Sequence, residues 1–469
     1  MKKTFKFLKE KYNSKEPLKT EWIVAIIIAF FMLISFIYID LQSLTIWSTN
    51  VLDSIADGNI LNYFKISALN IHGAPHGGIS GVLFYLIPWA IWNIPIWIAQ
   101  YFFHYEIMET PISIVWSKLF LVGALVLTLV YTYKIIMKLT NNKTKAKWGV
   151  FLSLTFLFTY IGVFFAGQSD ILICLLGTIA IYKLLEKKSK WFYVLAGFAI
   201  SIKYFFFVPF VILVLFLEKN LLKAFRNIII GLIPSAVFVL LCYNLPMYTQ
   251  NEKSDTVITM VKHMVGNSFP IIRSQQLSFL ILGIIILAFI AYKTKAKDDS
   301  EKNKFIIYFV TASLCIFFAF GSHEFYRMTL LMPFIFIMFM ISDRHLSYNI
   351  ILETMASIGY MISIFCSSIY LFSSKYMANS LLAQIFNFSF KEEHSPYLVL
   401  QHSVSGYIGL IGSVAATIAF AALLLIVFIN YPRSKLKLDV KEVQCGRYIL
   451  WIRNLIIVPV IIYLLFRII

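Results

Sequence analysis

The sequence predicts an all-α, polytopic membrane protein with about thirteen transmembrane helices. Of its 469 residues, 60% are apolar and 14% are charged, whereas about a quarter of the residues in an average soluble protein are charged. Apolar runs of roughly 18 residues or more recur along the whole chain. Because a run of that length can cross a bilayer as a helix, these two observations exclude a soluble protein.

Lysine and arginine outnumber aspartate and glutamate by 41 to 23, which gives a net charge of +18. Basic residues in short loops mark the cytoplasmic side of a membrane protein. Residues 1–21 are lysine-rich, so we expect the N-terminus in the cytoplasm and, after an odd number of crossings, the C-terminus outside. The excess of positive charge is thus assigned to topology, and no nucleic-acid partner is predicted.

The first predicted span covers residues 22–39, so Asp40, which follows it directly, should lie at the outer face. The next strongly basic segment should be cytoplasmic, so an odd number of crossings must separate it from Asp40. Two apolar stretches, 81–103 and 113–138, lie between them, and only one of the two can be an ordinary span. The earlier stretch contains two prolines, which break helices, and several Trp and Tyr residues, which favour the membrane interface. We therefore predict that 81–103 is a broken, re-entrant or outer-leaflet segment and that 113–138 is the second span.

The later spans are assigned by the same rule, which places every strongly basic loop in the cytoplasm. Residues 191–217 begin and end in basic loops but are too few for two full spans of about 20 residues, so two short helices meeting near Lys203 are predicted. The other predicted spans cover residues 148–166, 170–186, 227–246, 277–292, 305–320, 328–342, 348–372, 405–430 and 449–468.

The longest hydrophilic stretch is the predicted outer loop at 40–80. Its apolar residues recur at roughly helical spacing, at Ile46, Val51, Leu52, Ile55, Leu61 and Phe64. This pattern predicts an amphipathic helix that lies on the membrane surface. Gly58 is the expected end of that helix, because glycine readily adopts the left-handed backbone conformation that follows many helices.

Four short motifs lie on the predicted outer face. The first is an aspartate just after the first span, followed by an aromatic residue and a helix that ends in Asp-Gly; its members are Asp40, Trp47 and Asp57-Gly58. The second is a His/Pro/Gly turn from His72 to Gly78, which precedes the proline-containing apolar stretch.

The third motif is Gly-Gln-Ser-Asp at 167–170, and the fourth is Ala-Gly-Phe-Ala-Ile-Ser-Ile-Lys at 196–203, which leads to Pro209. Together the four motifs resemble the GT-C superfamily of integral-membrane glycosyltransferases, and the last two look like its bacterial mannosyltransferase-like branch. That branch often shows a Lys-x-x-Pro step, whereas Pro209 comes six residues after Lys203. The resemblance covers mainly residues 20–215.

The resemblance implies a GT-C-like fold and an integral-membrane hexosyltransferase. It also implies a polyprenyl-phosphate-linked sugar as donor and a glycan, cell-wall polymer or glycolipid as acceptor, at the outer face of the cell membrane. The chain then divides into a cytoplasmic N-terminus (1–21), a catalytic transmembrane module (22–245, with the outer loop 40–80) and variable C-terminal transmembrane helices (246–469). The alternatives are a lipid-linked glycan flippase or transporter and an O-antigen-type polymerase.

Asp40 and Asp170 are the predicted catalytic residues. Glycosyl transfer needs a base for the proton of the acceptor hydroxyl, and the resemblance implies that role for Asp40. Asp170 would orient the acceptor, assist the base or bind a metal. The alternatives are an interfacial charge that only ends a helix for Asp40 and a helix N-cap for Asp170.

Lys203 and Arg327 are the predicted binding residues for the donor phosphate. Lys203 lies between two highly apolar segments, where an ammonium group is costly without a partner such as a lipid-linked phosphate. The alternative for Lys203 is that its ammonium reaches the outer interface. The alternative for Arg327 is an ion pair with Glu324 at i,i+3 spacing.

Six further residues are predicted to contact substrate: Gln168, His72, His76, Asp57, His323 and Glu324. His72 and His76 have metal-ligand spacing on a helix, but the intervening proline and flanking glycines favour a structural turn instead. No metal ligand set is predicted, and the two carboxylates admit a divalent cation without requiring one. The sequence has no P-loop, so an ATP-driven pump is not indicated.

Overall fold

The computed structural model of the protein describes residues 16–69, 82–103, 110–243, 268–272, 275–321, 324–342, 345–388, 393–434 and 446–468. These residues are almost entirely helical. The helices up to residue 243 are α1 (Lys19–Ser35), α2 (Ile39–Ala56), α3 (Tyr63–Leu69), α4 (Val82–Phe103), α5 (Pro111–Thr140), α6 (Lys143–Leu154), α7 (Leu157–Thr159), α8 (Asp170–Leu185), α9 (Ser189–Ile202), α10 (Phe207–Leu217) and α11 (Leu221–Tyr243).

A two-stranded hairpin, β1 (Ser268–Ile272) and β2 (Gln275–Ser278), separates these helices from the rest. The later helices are α12 (Phe279–Lys293), α13 (Asp299–Phe320), α14 (Met332–Ile341), α15 (Leu346–Ser367), α16 (Ser374–Ala378), α17 (Leu381–Phe386), α18 (Pro396–Val404), α19 (Ile408–Ile429), α20 (Gly446–Leu455) and α21 (Val458–Ile468). Short 3₁₀ turns cover Ile60–Asn62, Tyr204–Phe206 and Phe325–Leu331, and a π-helical segment covers Tyr160–Phe165.

Six helices in the described part of the chain are long and apolar enough to cross a membrane, and the number rises to eight if each of two bent pairs is one span. The six include α5, α13, α15 and α19, which match predicted spans closely. Many of their large apolar side chains face outward, as expected of a surface in contact with lipid. The predicted class, a helical membrane protein, is confirmed.

The first bent pair is α1 and α2, which meet at 70°. Lys118 of α5, fully buried, donates to the carbonyl oxygens of Met32, Leu33 and Phe36 at 3.5, 3.4 and 3.1 Å. These carbonyls lie at the C-terminal end of α1, where they lack partners within the helix and where the helix dipole favours a cation. Lys118 thereby stabilises the bend, and Asp40 follows it in the first turn of α2.

The helix predicted after Asp40 is present as α2, and its position on the membrane surface stays a prediction. It ends at Ala56, and Gly58 adopts a φ of 76°, which ends the helix as expected. Its buried side packs against α4, where Asn93 donates to Ser48 Oγ at 2.8 Å and Trp97 donates to Asp53 Oδ1 at 2.7 Å.

The predicted break in residues 81–103 is wrong, because α4 is continuous through Pro88 and Pro95. A proline removes only one N–H donor from a helix, and neighbouring side chains can compensate for that loss inside a protein. Trp89, one residue after the first proline, donates to Ser117 Oγ of α5 at 2.7 Å. This contact with α5 supports α4 at the point where proline removes a hydrogen bond of the helix backbone.

The predicted span at 148–166 is also bent, by 52° between α6 and the segment that starts at Leu157. Arg453 of α20 lies at this bend and donates to Thr155 Oγ1 and to the carbonyl oxygen of Leu152. Arg453 also pairs with Glu353 of α15, and both side chains are almost fully buried. Arg453 falls within the predicted span 449–468, and the structure gives it a buried partner inside the helical bundle.

The two short helices predicted within residues 191–217 are confirmed as α9 and α10. Lys203 occupies the junction, with extended backbone angles of −154° and 147°. Three further elements were not predicted: the β1–β2 hairpin, which pairs Ser268 with Ser278, and the short helices α16 and α17 on the predicted outer side.

Candidate functional site

Asp40 and Gln168 meet at the outer end of the bundle, as the predicted topology defines it. Gln168 Nε2 donates to Asp40 Oδ2 at 2.8 Å. Gln168 is 4% exposed, whereas Asp40 is half-buried, so the carboxylate remains accessible on one side. Within the described chain Asp40 Oδ1 has no hydrogen-bond donor. This arrangement fixes one carboxylate oxygen and leaves the other available for a proton.

Gly167 makes this contact possible. Its φ is 59°, a left-handed backbone conformation that residues with a Cβ rarely adopt. A Cβ at this position would also lie 2.9 Å from Leu41 Cδ2. Glycine thus allows the loop before α8 to approach the start of α2, which brings Gln168 onto Asp40.

Asp170 and Lys203 form the second pair of the site. Lys203 Nζ lies 3.0 Å from Asp170 Oδ2, and the two side chains are 24% and 1% exposed. Asp170 is the first helical residue of α8 rather than its N-cap, which is Ser169. Asp170 Oδ1 is buried and accepts no hydrogen bond from the protein. The pair therefore retains an unused acceptor and, on Lys203, unused donors.

Arg327 approaches the Asp170–Lys203 pair from the C-terminal half of the chain. Its guanidinium lies over the ring of Phe205, 5.1 Å from the centroid, and its charge acts on Asp170 and Glu324. The side chains of Arg327 and Glu324 form no ion pair with each other, and Arg327 Nε is a buried donor without an acceptor. The i,i+3 ion pair that was the alternative for Arg327 is therefore not formed, and the guanidinium remains available to an anion.

Thr329 and Gly162 hold the Arg327 segment in place. Thr329 Oγ1 donates to the carbonyl oxygen of Phe158 at 2.6 Å, and Cys174 Sγ of α8 donates to the carbonyl oxygen of Thr329 at 3.3 Å. A Cβ on Gly162 would lie 2.0 Å from Thr329 Oγ1. The π-helical segment thus packs directly against the turn that carries Arg327.

Three tyrosines that the sequence did not single out surround Asp40. The Tyr38 ring lies 4.9 Å from that of Tyr376 and 6.4 Å from that of Tyr326, and the charge of Asp40 acts on all three hydroxyl groups. Ile37 N donates to the carbonyl oxygen of Tyr376 at 2.9 Å. The only sequence signal for them was the position of Tyr38, two residues before Asp40.

The remaining predicted substrate residues have three different outcomes. Glu324 is exposed beside the Arg327 turn. Asp57 lies at the far end of α2, about 25 Å from Asp40 at 1.5 Å of rise per residue, so the structure does not bring it to the site. His72, His76 and His323 lie outside the described residues. In the described ranges, no three His, Cys, Asp or Glu side chains are grouped so that they could hold a metal ion.

Comparison with protein-family models, curated proteins and solved structures finds no match to this chain. The interpretation of the site therefore rests on its geometry. Four of its members, Asp40, Gln168, Asp170 and Lys203, come from the N-terminal half of the chain, and Glu324, Tyr326 and Arg327 come from the C-terminal half. A site assembled from both halves depends on the tertiary fold.

Proposed function

We propose that the protein is an inverting, GT-C-like membrane glycosyltransferase. It transfers a hexose from a polyprenyl-phosphate donor to a hydroxyl group of a glycan, cell-wall polymer or glycolipid. The proposal is supported chiefly by one observation: a positioned carboxylate, Asp40, lies in one cluster with two cations, Lys203 and Arg327. The Tyr326 hydroxyl interacts electrostatically with Asp40, Asp170 and Arg327. It therefore lies between the carboxylate part of the cluster and the cationic part.

In the proposed reaction Asp40 Oδ1 takes the proton of the acceptor hydroxyl. The acceptor oxygen forms a bond to the anomeric carbon as the bond from that carbon to the phosphate oxygen breaks. Attack opposite the leaving group inverts the anomeric configuration. Gln168 holds Oδ2 through its amide N–H, so the base keeps its orientation as the acceptor approaches.

Polyprenyl phosphate leaves with the electron pair of the broken bond, so its phosphate gains negative charge. Lys203 and Arg327 stabilise this charge, Lys203 as a point charge and Arg327 through its donor-rich guanidinium. Asp170 positions Lys203 through their 3.0 Å contact. This role differs from the sequence expectation, in which the lipid phosphate itself was the partner of Lys203.

The proposed orientation places the N-terminus in the cytoplasm and the site and C-terminus at the outer face of the cell membrane, after thirteen crossings. The basic residues support this orientation: Lys143, Lys145, Lys147, Lys187, Lys188, Lys190, Lys223, Lys295 and Lys297 all lie in turns or helix ends remote from Asp40. Six to eight of the proposed thirteen crossings are made by long apolar helices. The remaining crossings are assigned to shorter apolar helices such as α9 and α10.

Transfer is tested with purified protein in proteoliposomes, supplied with radiolabelled polyprenyl-phosphate mannose or polyprenyl-phosphate glucose and a bacterial glycolipid extract. We expect acceptor-dependent release of polyprenyl phosphate from one of the donors. Transbilayer movement of the donor without release would instead support the flippase alternative, which the bent helix pairs at 70° and 52° favour.

A further inference from the structure

A cavity of about 280 Å³ lies between α13, α14, α15 and α19. Its volume is close to the lower range of small-molecule sites. Its lining includes the polar side chains of Lys304, Tyr308, Ser342, His345, Tyr431 and Ser434. None of these residues contributes to the Asp40–Asp170 site, so the cavity is a second feature that the proposed reaction does not use.

The cavity lies at the opposite end of the bundle from Asp40. Lys304 is near the start of α13, whereas α13 ends at Phe320, four residues before Glu324 of the catalytic site. At 1.5 Å of rise per residue, this helix of 22 residues is about 33 Å long, close to the thickness of the hydrocarbon core. In the orientation proposed above, the cavity therefore opens at the cytoplasmic leaflet.

The lining is suited to an anion. Among the described residues that line it are one ammonium group, an imidazole and the hydroxyl-bearing side chains of two tyrosines and two serines, and none of these described lining residues is a carboxylate. Lys304 is exposed and forms no ion pair with any residue of the described ranges. The nearby Arg433 is already held by Glu301 at 2.8 Å. Among the described residues, Lys304 is therefore the cation that a ligand in the cavity would meet.

The cavity has a rigid frame. Asn430 and Asn349 exchange reciprocal amide hydrogen bonds of 2.7 and 3.0 Å, which join the end of α19 to the start of α15. The rings of Tyr308 and Tyr431 pack edge to face at 5.4 Å. A ligand would enter a preformed cavity and would not have to order it, which favours binding.

An apolar surface leads away from the cavity along α19. Leu425 and Phe428 precede the lining residue Ile429 and are 48% and 65% exposed, and Val414 and Ile418 continue the same face. Such a strip matches acyl chains, whereas the polar cavity at its end matches a headgroup. The combination of the two distinguishes this place from a uniformly apolar lipid-facing surface.

We propose that this cavity, with Lys304 as its cation, binds the phosphate headgroup of an anionic phospholipid of the cytoplasmic leaflet. The phosphate accepts hydrogen bonds from the Lys304 ammonium and the surrounding hydroxyl groups. The acyl chains lie along Leu425 and Phe428. The site anchors the C-terminal helices in the membrane at the face opposite the reaction.

The test measures thermal unfolding of the full-length protein purified in dodecyl maltoside micelles, with dioleoyl phosphatidylglycerol, dioleoyl phosphatidylcholine or inorganic phosphate added separately. We expect phosphatidylglycerol to raise the unfolding temperature in a saturable manner and the other two additives to have little effect. Because neither leaflets nor sugar transfer enters this measurement, its result is independent of the proposed function and orientation.

Three variants sharpen the test. Lys304→Gln should weaken the apparent affinity for phosphatidylglycerol about fivefold, the effect of losing one lysine near a phosphate. Lys304→Arg and Lys302→Gln, the latter removing an exposed lysine two residues earlier that does not line the cavity, should retain the wild-type affinity. Unchanged affinity in Lys304→Gln, equal effects of the two lipids, or full stabilisation by inorganic phosphate would each overturn the proposal.

Discussion

The amide of Gln168 donates a 2.8 Å hydrogen bond to the carboxylate of Asp40, across a separation of 128 residues in sequence. The bond joins the loop before α8 to the first turn of α2. It restricts the rotation of the Asp40 side chain and leaves its second oxygen without a donor among the described residues. In the proposed reaction, that restriction is what makes Asp40 an effective base.

Replacing Gln168 by leucine should lower kcat about tenfold to a hundredfold, because the carboxylate loses its fixed orientation. The protein should still fold, and KM for the polyprenyl-phosphate donor should change little, since the phosphate-binding cations are untouched. Steady-state kinetics in nanodiscs measures both values. Gln42→Leu, on the same helix as Asp40, is the matched control, and an equal loss in both variants would contradict a specific role for Gln168.

Gly167→Ala should destabilise the protein by about 1–3 kcal/mol and reduce transfer, because alanine is strained at φ 59° and its Cβ would collide with Leu41. The control is Gly58→Ala, where φ is 76° but no atom lies within 4 Å of the added Cβ. That variant should show backbone strain alone and keep its activity. Thermal unfolding combined with the transfer assay separates the two effects, and loss of activity in both variants would refute the distinction.

Lys118→Met should loosen the bend between α1 and α2, because three carbonyl groups at the end of α1 lose their donor. The expected cost is about 1–3 kcal/mol of stability, together with reduced transfer. Lys134→Met, on the exposed face of the same helix, serves as the control and should have little effect. Chemical denaturation of both variants provides the comparison.

Breaking the buried Arg453–Glu353 pair by Arg453→Met should cost about 3–5 kcal/mol, because Glu353 would be left as an uncompensated charge. The double variant Arg453→Met, Glu353→Met should recover part of that loss, since no charge remains buried. A double-mutant cycle from unfolding free energies measures the coupling. Additive losses would show that the two side chains act independently.

The sequence allowed the helical membrane class and the junction at Lys203 to be predicted, because both depend on local patterns of apolar and charged residues. The same local patterns predicted no partner for Arg453, which lies within the predicted span 449–468. Only the fold supplies Glu353 as its buried partner. The break predicted for α4 failed because helix packing compensated for its prolines.

The individual residues Asp40, Gln168, Asp170 and Lys203 were predicted as site members, but their pairing was not. Asp40 and Gln168 are distant in sequence, and nothing local in a chain reveals that one accepts a hydrogen bond from the other. The partner of Lys203 was expected to be a lipid phosphate, whereas the structure provides Asp170. Tyr376 was missed because it lies in a predicted outer loop and belongs to no motif.

The central claim is that Asp40 is the base for glycosyl transfer. The most direct measurement is the single-turnover rate of sugar transfer from radiolabelled polyprenyl-phosphate donor by Asp40→Asn, which keeps the shape of the side chain and removes its basicity. Asp299→Asn, which removes a surface carboxylate at the opposite end of the bundle, controls for the loss of charge. We predict a fall of at least about a hundredfold for Asp40→Asn alone; transfer at the wild-type rate by the folded variant would contradict the assignment.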